Sequence, residues 1–211
     1  MTKSLTGQQR KALKILAIAL IVIGIVVISY PFFPLIKYSV SEPEPYYPFP
    51  TQLVNEEESS TLPDIERRES SIPLNEAGIP LENYLVIPKI GVYIKIIEGT
   101  NEGLCLNQGA WHLPDTSDPV DGSNMVISAH RFRYRPPSSQ TFYLLDKITN
   151  GDNFIVYWQE QEYDYVVTET KIVEPNEISI KEATETPRVT LFTCTPLFST
   201  DKRLVVIGEL I

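Results

Sequence analysis

Cys194 closes a β-type run, Thr190-Leu191-Phe192-Thr193-Cys194-Thr195-Pro196, and nine residues later Arg203 opens a second, RLVVIGEL. A third apolar run, Asn124-Met125-Val126-Ile127-Ser128-Ala129, leads into His130, one of two histidines in the chain. Cysteine acyl transfer needs a thiol nucleophile, a proton carrier, and a donor for the tetrahedral oxyanion. Cys194, His130 and Arg203 fill those roles in that order. A guanidinium cannot shed its proton at ordinary pH, which suits Arg203 to oxyanion or carbonyl binding rather than to base catalysis.

The two runs that carry Cys194 and Arg203 are rich in β-branched residues and separated by the eight-residue stretch TPLFSTDK. They read as antiparallel neighbours, with Cys194 and Arg203 facing each other at the base of the hairpin. Alternation places Thr190, Phe192 and Cys194 on one face, so Thr190 and Phe192 are expected to line a substrate groove, and Ser128 shares a face with His130 by the same count. Thr193 is expected to serve the oxyanion through its backbone. His112, in Ala-Trp-His-Leu-Pro, is the competing histidine and is assigned a structural or rim role.

Short runs recur between turn signals from about residue 81 onward: YLVIPKI, VYIKIIEG, NMVISAH, NFIVYW, EYDYVVTETKIVE, RVTLFTC and RLVVIGELI. That spacing predicts a mainly β domain, a closed barrel of about eight strands. One short helix is expected over 139–148, SQTFYLLDKI, with Ser139 as its cap. About 130 residues are enough for a single core without disulfide support.

The rest of the 211 residues divides by composition. Residues 1–14 hold Lys3, Arg10, Lys11 and Lys14 and no acidic residue, and 15–36 hold no charge at all. A run of that length crosses a hydrocarbon core of about 30 Å, and the basic residues before it predict an N-terminus in the cytoplasm with everything after it outside. The run leads into Tyr30-Pro31-Phe32-Phe33-Pro34 rather than an A-x-A site, which favours a retained anchor over a cleaved signal peptide. Residues 37–80, rich in Pro, Glu and Ser, read as an extended stalk, with an amphipathic helix near 52–69 as the alternative.

The net charge is −9, and beyond the span 14 basic residues face 27 acidic ones, or −13. An acidic exposed domain without a basic stripe argues against nucleic-acid binding. Cys105 and Cys194 are the two cysteines. A disulfide between them would block the nucleophile, so catalysis requires Cys194 free, with Cys105 a small buried hydrophobe or a redox partner. Glu98 with Glu102, or Glu162 with Asp164, offers carboxylates to calcium, but surface solvation explains them; no metal and no cofactor are expected.

TLFTC with a downstream Arg, preceded by an apolar strand ending in SAHR, resembles the sortase family. LVIPKIGV followed by IIEG, and Gly109-Ala110-Trp111 with Gly122-Ser123-Asn124, are similar to further family segments, so the resemblance runs from about residue 81 to the C-terminus. The context of Trp111 is closer to the class D and E branches. The resemblance implies an eight-stranded sortase barrel with one or two short helices on a membrane anchor, with His130, Cys194 and Arg203 as its catalytic set. It implies partners too: an exported protein with a C-terminal LPxTG-like sorting signal, cleaved through a thioester, and an amine of a peptidoglycan precursor or pilin that accepts it. The stretch 175–188 corresponds to the loop that selects the signal. Two alternatives stand beside this reading, a surface thiol endopeptidase that uses water, and a noncatalytic wall-binding barrel.

Overall fold

The computed structural model describes residues 7–33, 45–49, 72–134 and 138–211. The chain forms two compact units, Met1–Glu42 and Pro43–Ile211. In the first, helix α1 spans Gly7–Ser29 and a 3-10 turn follows over Tyr30–Phe32. The helix is long and apolar enough to cross a membrane by length and composition. It begins eight residues before the expected span and ends ahead of Pro31, whose nitrogen has no proton to give the next i→i−4 bond.

The second unit is a closed barrel in the order β1-β2-β3-β4-β7-β8-β6-β5. Its strands are β1 (Tyr84–Ile87), β2 (Val92–Glu98), β3 (Ala110–His112), β4 (Asn124–Ser128), β5 (Asn153–Trp158), β6 (Gln161–Val173), β7 (Arg188–Thr195) and β8 (Lys202–Leu210). Two neighbouring pairs run parallel, β2 with β3 and β4 with β7; the others are antiparallel. Parallel neighbours need a crossover. The seven-residue helix α2, Glu102–Gln108, makes the first, and Asn101 caps it by accepting from the Leu104 N–H. The second brackets β5 and β6, so strands distant in sequence meet at β4 and β7.

Alternate residues fill the interior. Leu85, Ile87, Ile94, Met125, Ile127, Phe154, Leu191 and Val206 are all buried. Phe154 and Tyr165 stack with centroids 5.3 Å apart, and a side chain at Gly208 would collide with the Phe154 ring, so β8 crosses the stack at its glycine.

β1 and β5 are buried on their outer faces as well. Phe49 packs edge-on against Tyr84 and Tyr157, and Tyr47, Ile72, Ile79 and Tyr93 complete the cluster. The Tyr46 N–H donates to the Pro88 carbonyl. This differs from the expected stalk: residues 45–49 and 72–80 belong to the barrel unit, because Tyr47, Phe49, Ile72 and Ile79 cover apolar surface that β1 and β5 would otherwise expose. The possible helix at 52–69 lies outside the described residues. Residues 139–148 also depart from expectation. They form turns with a 3-10 segment, Leu145–Lys147, since Phe142, Tyr143, Leu144, Leu145 and Ile148 are all buried, a distribution no single helix face supplies.

Asp164 on β6 is a point of electrostatic stress. Burial, with Glu162 beside it, pushes its carboxyl up to about 6, and Oδ1 is buried without a hydrogen-bond partner. Between the ordinary value of 3.8 and about 6 the folded chain holds a proton that the unfolded chain releases, so stability falls as pH rises through that window. Asp164→Asn is therefore expected to stabilise the barrel at pH 7.5 by on the order of 1 kcal/mol after solvent screening, a rise of a few degrees in Tm, with no gain at pH 4. Thermal unfolding at the two pH values checks this; an equal effect at both would assign it to packing.

Candidate active site

The ladder between β4 and β7 pairs Asn124 with Arg188 through Ser128 with Phe192. The pairing ends there, two residues short of His130 and Cys194. On the other side of β7, Cys194 lies directly opposite Arg203 of β8. Cys194 and Arg203 thus face each other on adjacent strands, about 5 Å apart, while His130 lies just beyond the end of β4. Along β7, Phe192 and Cys194 are half-buried while Leu191, Thr193 and Thr195 are buried, so the thiol points outward from the barrel.

Each member is held by neighbours of its own. The Thr193 hydroxyl, inside the barrel, donates to the Ala129 carbonyl at 2.8 Å, which ties the residue before His130 to the residue before Cys194. The N–H of buried Phe142 donates to the His130 carbonyl at 2.9 Å. Arg203 Nη1 donates to the carbonyls of Thr200 and Lys202, at 2.9 and 3.1 Å, so its own loop steadies the head group. Arg131 is buried, with Nη1 at 3.2 Å from the Cys194 carbonyl and 2.8 Å from Thr195 Oγ1, and Nη2 at 3.0 Å from Asp146 Oδ1. Phe132 and Phe198 meet at 5.9 Å between centroids, and Arg133 donates to Asn107 of α2. Residues 131–133 therefore join β7, the 3-10 segment at Asp146, the loop after β7 and α2. These contacts join residues far apart in the chain, and sequence spacing carries no signal for them.

The residues expected to line the groove separate. Phe192 is half-buried against Ile180, Val205 and Ile207 and forms a wall. Thr190 is fully buried, and its hydroxyl donates to Asn124 Oδ1 at 2.8 Å, so it is committed inside that wall rather than open to a substrate. Asn124 Nδ2 in turn donates to the carbonyls of Ile180 and Glu182, and Ser123 Oγ exchanges hydrogen bonds with the backbone of Thr184. The Ser123-Asn124 pair thus fastens the segment between β6 and β7 over the outer face of β7. Ser128 is buried beside Phe192 and Trp111 in the sheet.

His112 is buried, donates from Nε2 to the Ser117 carbonyl at 2.9 Å, lies 3.5 Å from Glu98 and stacks edge-on against Trp158. An open cavity of about 300 Å³ beside it is lined by Glu98, Asp115, Asp118 and Asp121 and includes none of His130, Cys194 and Arg203. Among the described residues no group of three or more His, Cys, Asp or Glu is placed to hold a metal ion. Cys105 and Cys194 are both free thiols, Cys105 buried in α2.

Burial lowers the pKa of His130 below its ordinary 6.5, Arg133 adds to the lowering, and Glu102 opposes it. Its imidazole is neutral at pH 7 and ready to take a proton. Activity that depends on this base falls only as pH drops through the lowered value, so its acid limb lies below 6.5. Arg133→Gln is expected to move that limb to higher pH and Glu102→Gln to lower pH. Opposite displacements in pH profiles of kcat/KM check the assignment; no movement in either variant refutes it.

The sortase domain model matches residues 85–211, which contains His130, Cys194 and Arg203. Sortase A of Listeria monocytogenes is 30% identical over 93% of this chain and 90% of its own length. Sortase D of Bacillus subtilis is 29% identical over 59% of the chain and 61% of its own length. Among solved structures, sortase C1 of GBS Pilus Island 1 superposes with a TM-score of 0.55 at 33% identity, covering 62% of this chain; the chain spans 64% of that protein. These relatives come from classes A, C and D and do not single out one branch. With an eight-stranded barrel of this kind and a domain match over more than half its length, the chain belongs to the sortase family, whose members are cysteine transpeptidases.

Proposed function

We propose that the chain is a membrane-anchored sortase that cleaves an LPxTG-like sorting signal on an exported protein and transfers the protein to an amine. The observation that carries this reading is Cys194 paired directly with Arg203, with the Thr193 hydroxyl bonded to the carbonyl of Ala129, the residue before His130. As the Cys194 sulfur attacks the signal's threonine carbonyl, neutral His130 takes the thiol proton, and Arg203 meets the negative charge that develops on the carbonyl oxygen. The C–N bond breaks, His130 returns the proton to the departing amine, and a thioester remains on Cys194. An incoming amine attacks the thioester, loses a proton to His130, and expels the thiolate, which regains that proton.

The anchor is α1, and the basic residues ahead of the apolar run favour a cytoplasmic N-terminus and an extracellular barrel at the bacterial plasma membrane. The acceptor is an amine of a peptidoglycan precursor or a pilin; the pilus-island origin of one structural relative supports the pilin arm. Mass spectrometry of the full chain in detergent tests the proposal, using LPxTG-type peptides with a glycine or lysine amine. An adduct on Cys194 that converts to an amine-linked product is expected. Free acid as the sole product would identify a hydrolase, and absence of any adduct across signal variants would favour a binding barrel.

A further inference from the structure

The hydrogen-bonded ladder between β4 and β7 stops at Ser128 and Phe192, two residues short of His130 and Cys194. Sheet pairing therefore does not itself fix the separation of imidazole and thiol. Arg131 sits where the ladder is missing. It is covalently next to His130, and its guanidinium donates to the carbonyl of Cys194 itself and to the hydroxyl of Thr195. The contact closes a ring that contains both reactive residues, so neither can shift without the other.

The placement is unfavourable unless it serves a purpose. Arg131 is 4% exposed, and its Nε is buried without a hydrogen-bond partner. A permanently charged head group is seldom taken out of water, and an unsatisfied buried N–H costs about 1–3 kcal/mol. Its carboxylate, Asp146, is 42% exposed and would reach a surface cation equally well. What burial adds is the reach of Nη1 to the Cys194 carbonyl and the Thr195 hydroxyl while Nη2 holds Asp146, a planar arrangement that lysine cannot reproduce.

We infer that Arg131 is a positioning residue of the transfer reaction: it takes the place of the absent strand pairing and sets the distance between His130 and Cys194, with Asp146 holding its head group. The inference rests on the reading of Cys194 and His130 as nucleophile and base. A misplacement near 1 Å at reacting groups lowers rates by about 100-fold, so Arg131→Gln is expected to slow acylation by about 10- to 100-fold with KM within about twofold. Arg131→Lys keeps one donor and falls between, and Asp146→Asn slows acylation less, by about three- to tenfold.

The experiment measures single-turnover acylation of the full chain in detergent by an LPxTG-type peptide. Rates for Arg131→Gln, Arg131→Lys, Asp146→Asn and His130→Ala are expressed per folded site, counted by alkylation of Cys194 under native conditions, and Cys194→Ala is compared at equal concentration of protein that unfolds cooperatively. Slower acylation with unchanged KM in the graded order supports the inference. Rates per site within twofold of the parent in Arg131→Lys and Asp146→Asn, or a loss confined to KM, overturn it. If Arg131→Gln fails to fold, the other two variants decide. Activity surviving in Cys194→Ala and His130→Ala would instead refute the underlying assignment of the site.

Discussion

Cys194→Ala is expected to abolish thioester formation and to reduce transpeptidation by at least about 10⁴-fold, while Cys105→Ala leaves the rate within about twofold. The contrast follows from where the two thiols lie. Cys194 is half-buried on the outer face of β7, opposite Arg203, where a carbonyl can approach it. Cys105 is buried on α2, and its sulfur fills the space a side chain at Gly99 would need. Alanine at 105 removes one small apolar contact; alanine at 194 removes the atom that forms the acyl bond. Peptide turnover by the two variants, with intact mass spectrometry for the adduct, checks both halves. Residual turnover above about 1% in Cys194→Ala would mean that the chemistry runs elsewhere on the barrel.

The pairing of Cys194 with Arg203 was legible because strand alternation and hairpin pairing are short-range rules. Once 188–194 and the run from Arg203 are read as neighbouring strands, Cys194 and Arg203 face each other, as they do in the ladder. What alternation could not supply was which outward residues stay open. Thr190 shares the face of Cys194, yet the segment around Ile180, held by Asn124, covers it. Helix α2 has seven residues, too few for a hydrophobic period to declare itself, and Asn101 was its one local signal. The 45–49 segment carries aromatics without any period, and its partners Tyr84 and Tyr157 lie 35 or more residues away. Arg131 is the sharpest instance. Beside His130 it reads as one more surface cation, and its burial is decided by acceptors more than 60 residues downstream.

Arg203→Ala is expected to lower kcat by about 10²- to 10³-fold with a smaller change in KM, the range found when a single oxyanion donor is removed. Arg203 faces Cys194 across β7 and β8, which on the proposed mechanism sets its charge beside the carbon at which the tetrahedral intermediate forms. That charge interacts most strongly when the carbonyl oxygen becomes an oxyanion, and a group that binds the transition state more tightly than the ground state appears in kcat rather than KM. Two of its donors already serve the carbonyls of Thr200 and Lys202, which holds the head group in place before substrate arrives. Arg203→Lys keeps the charge but loses the planar fork and the hold on those carbonyls, and is expected to recover about tenfold of the loss. Steady-state kinetics on a sorting-signal peptide separates the roles. A defect confined to KM in both variants would make Arg203 a substrate clamp and leave the oxyanion to backbone donors.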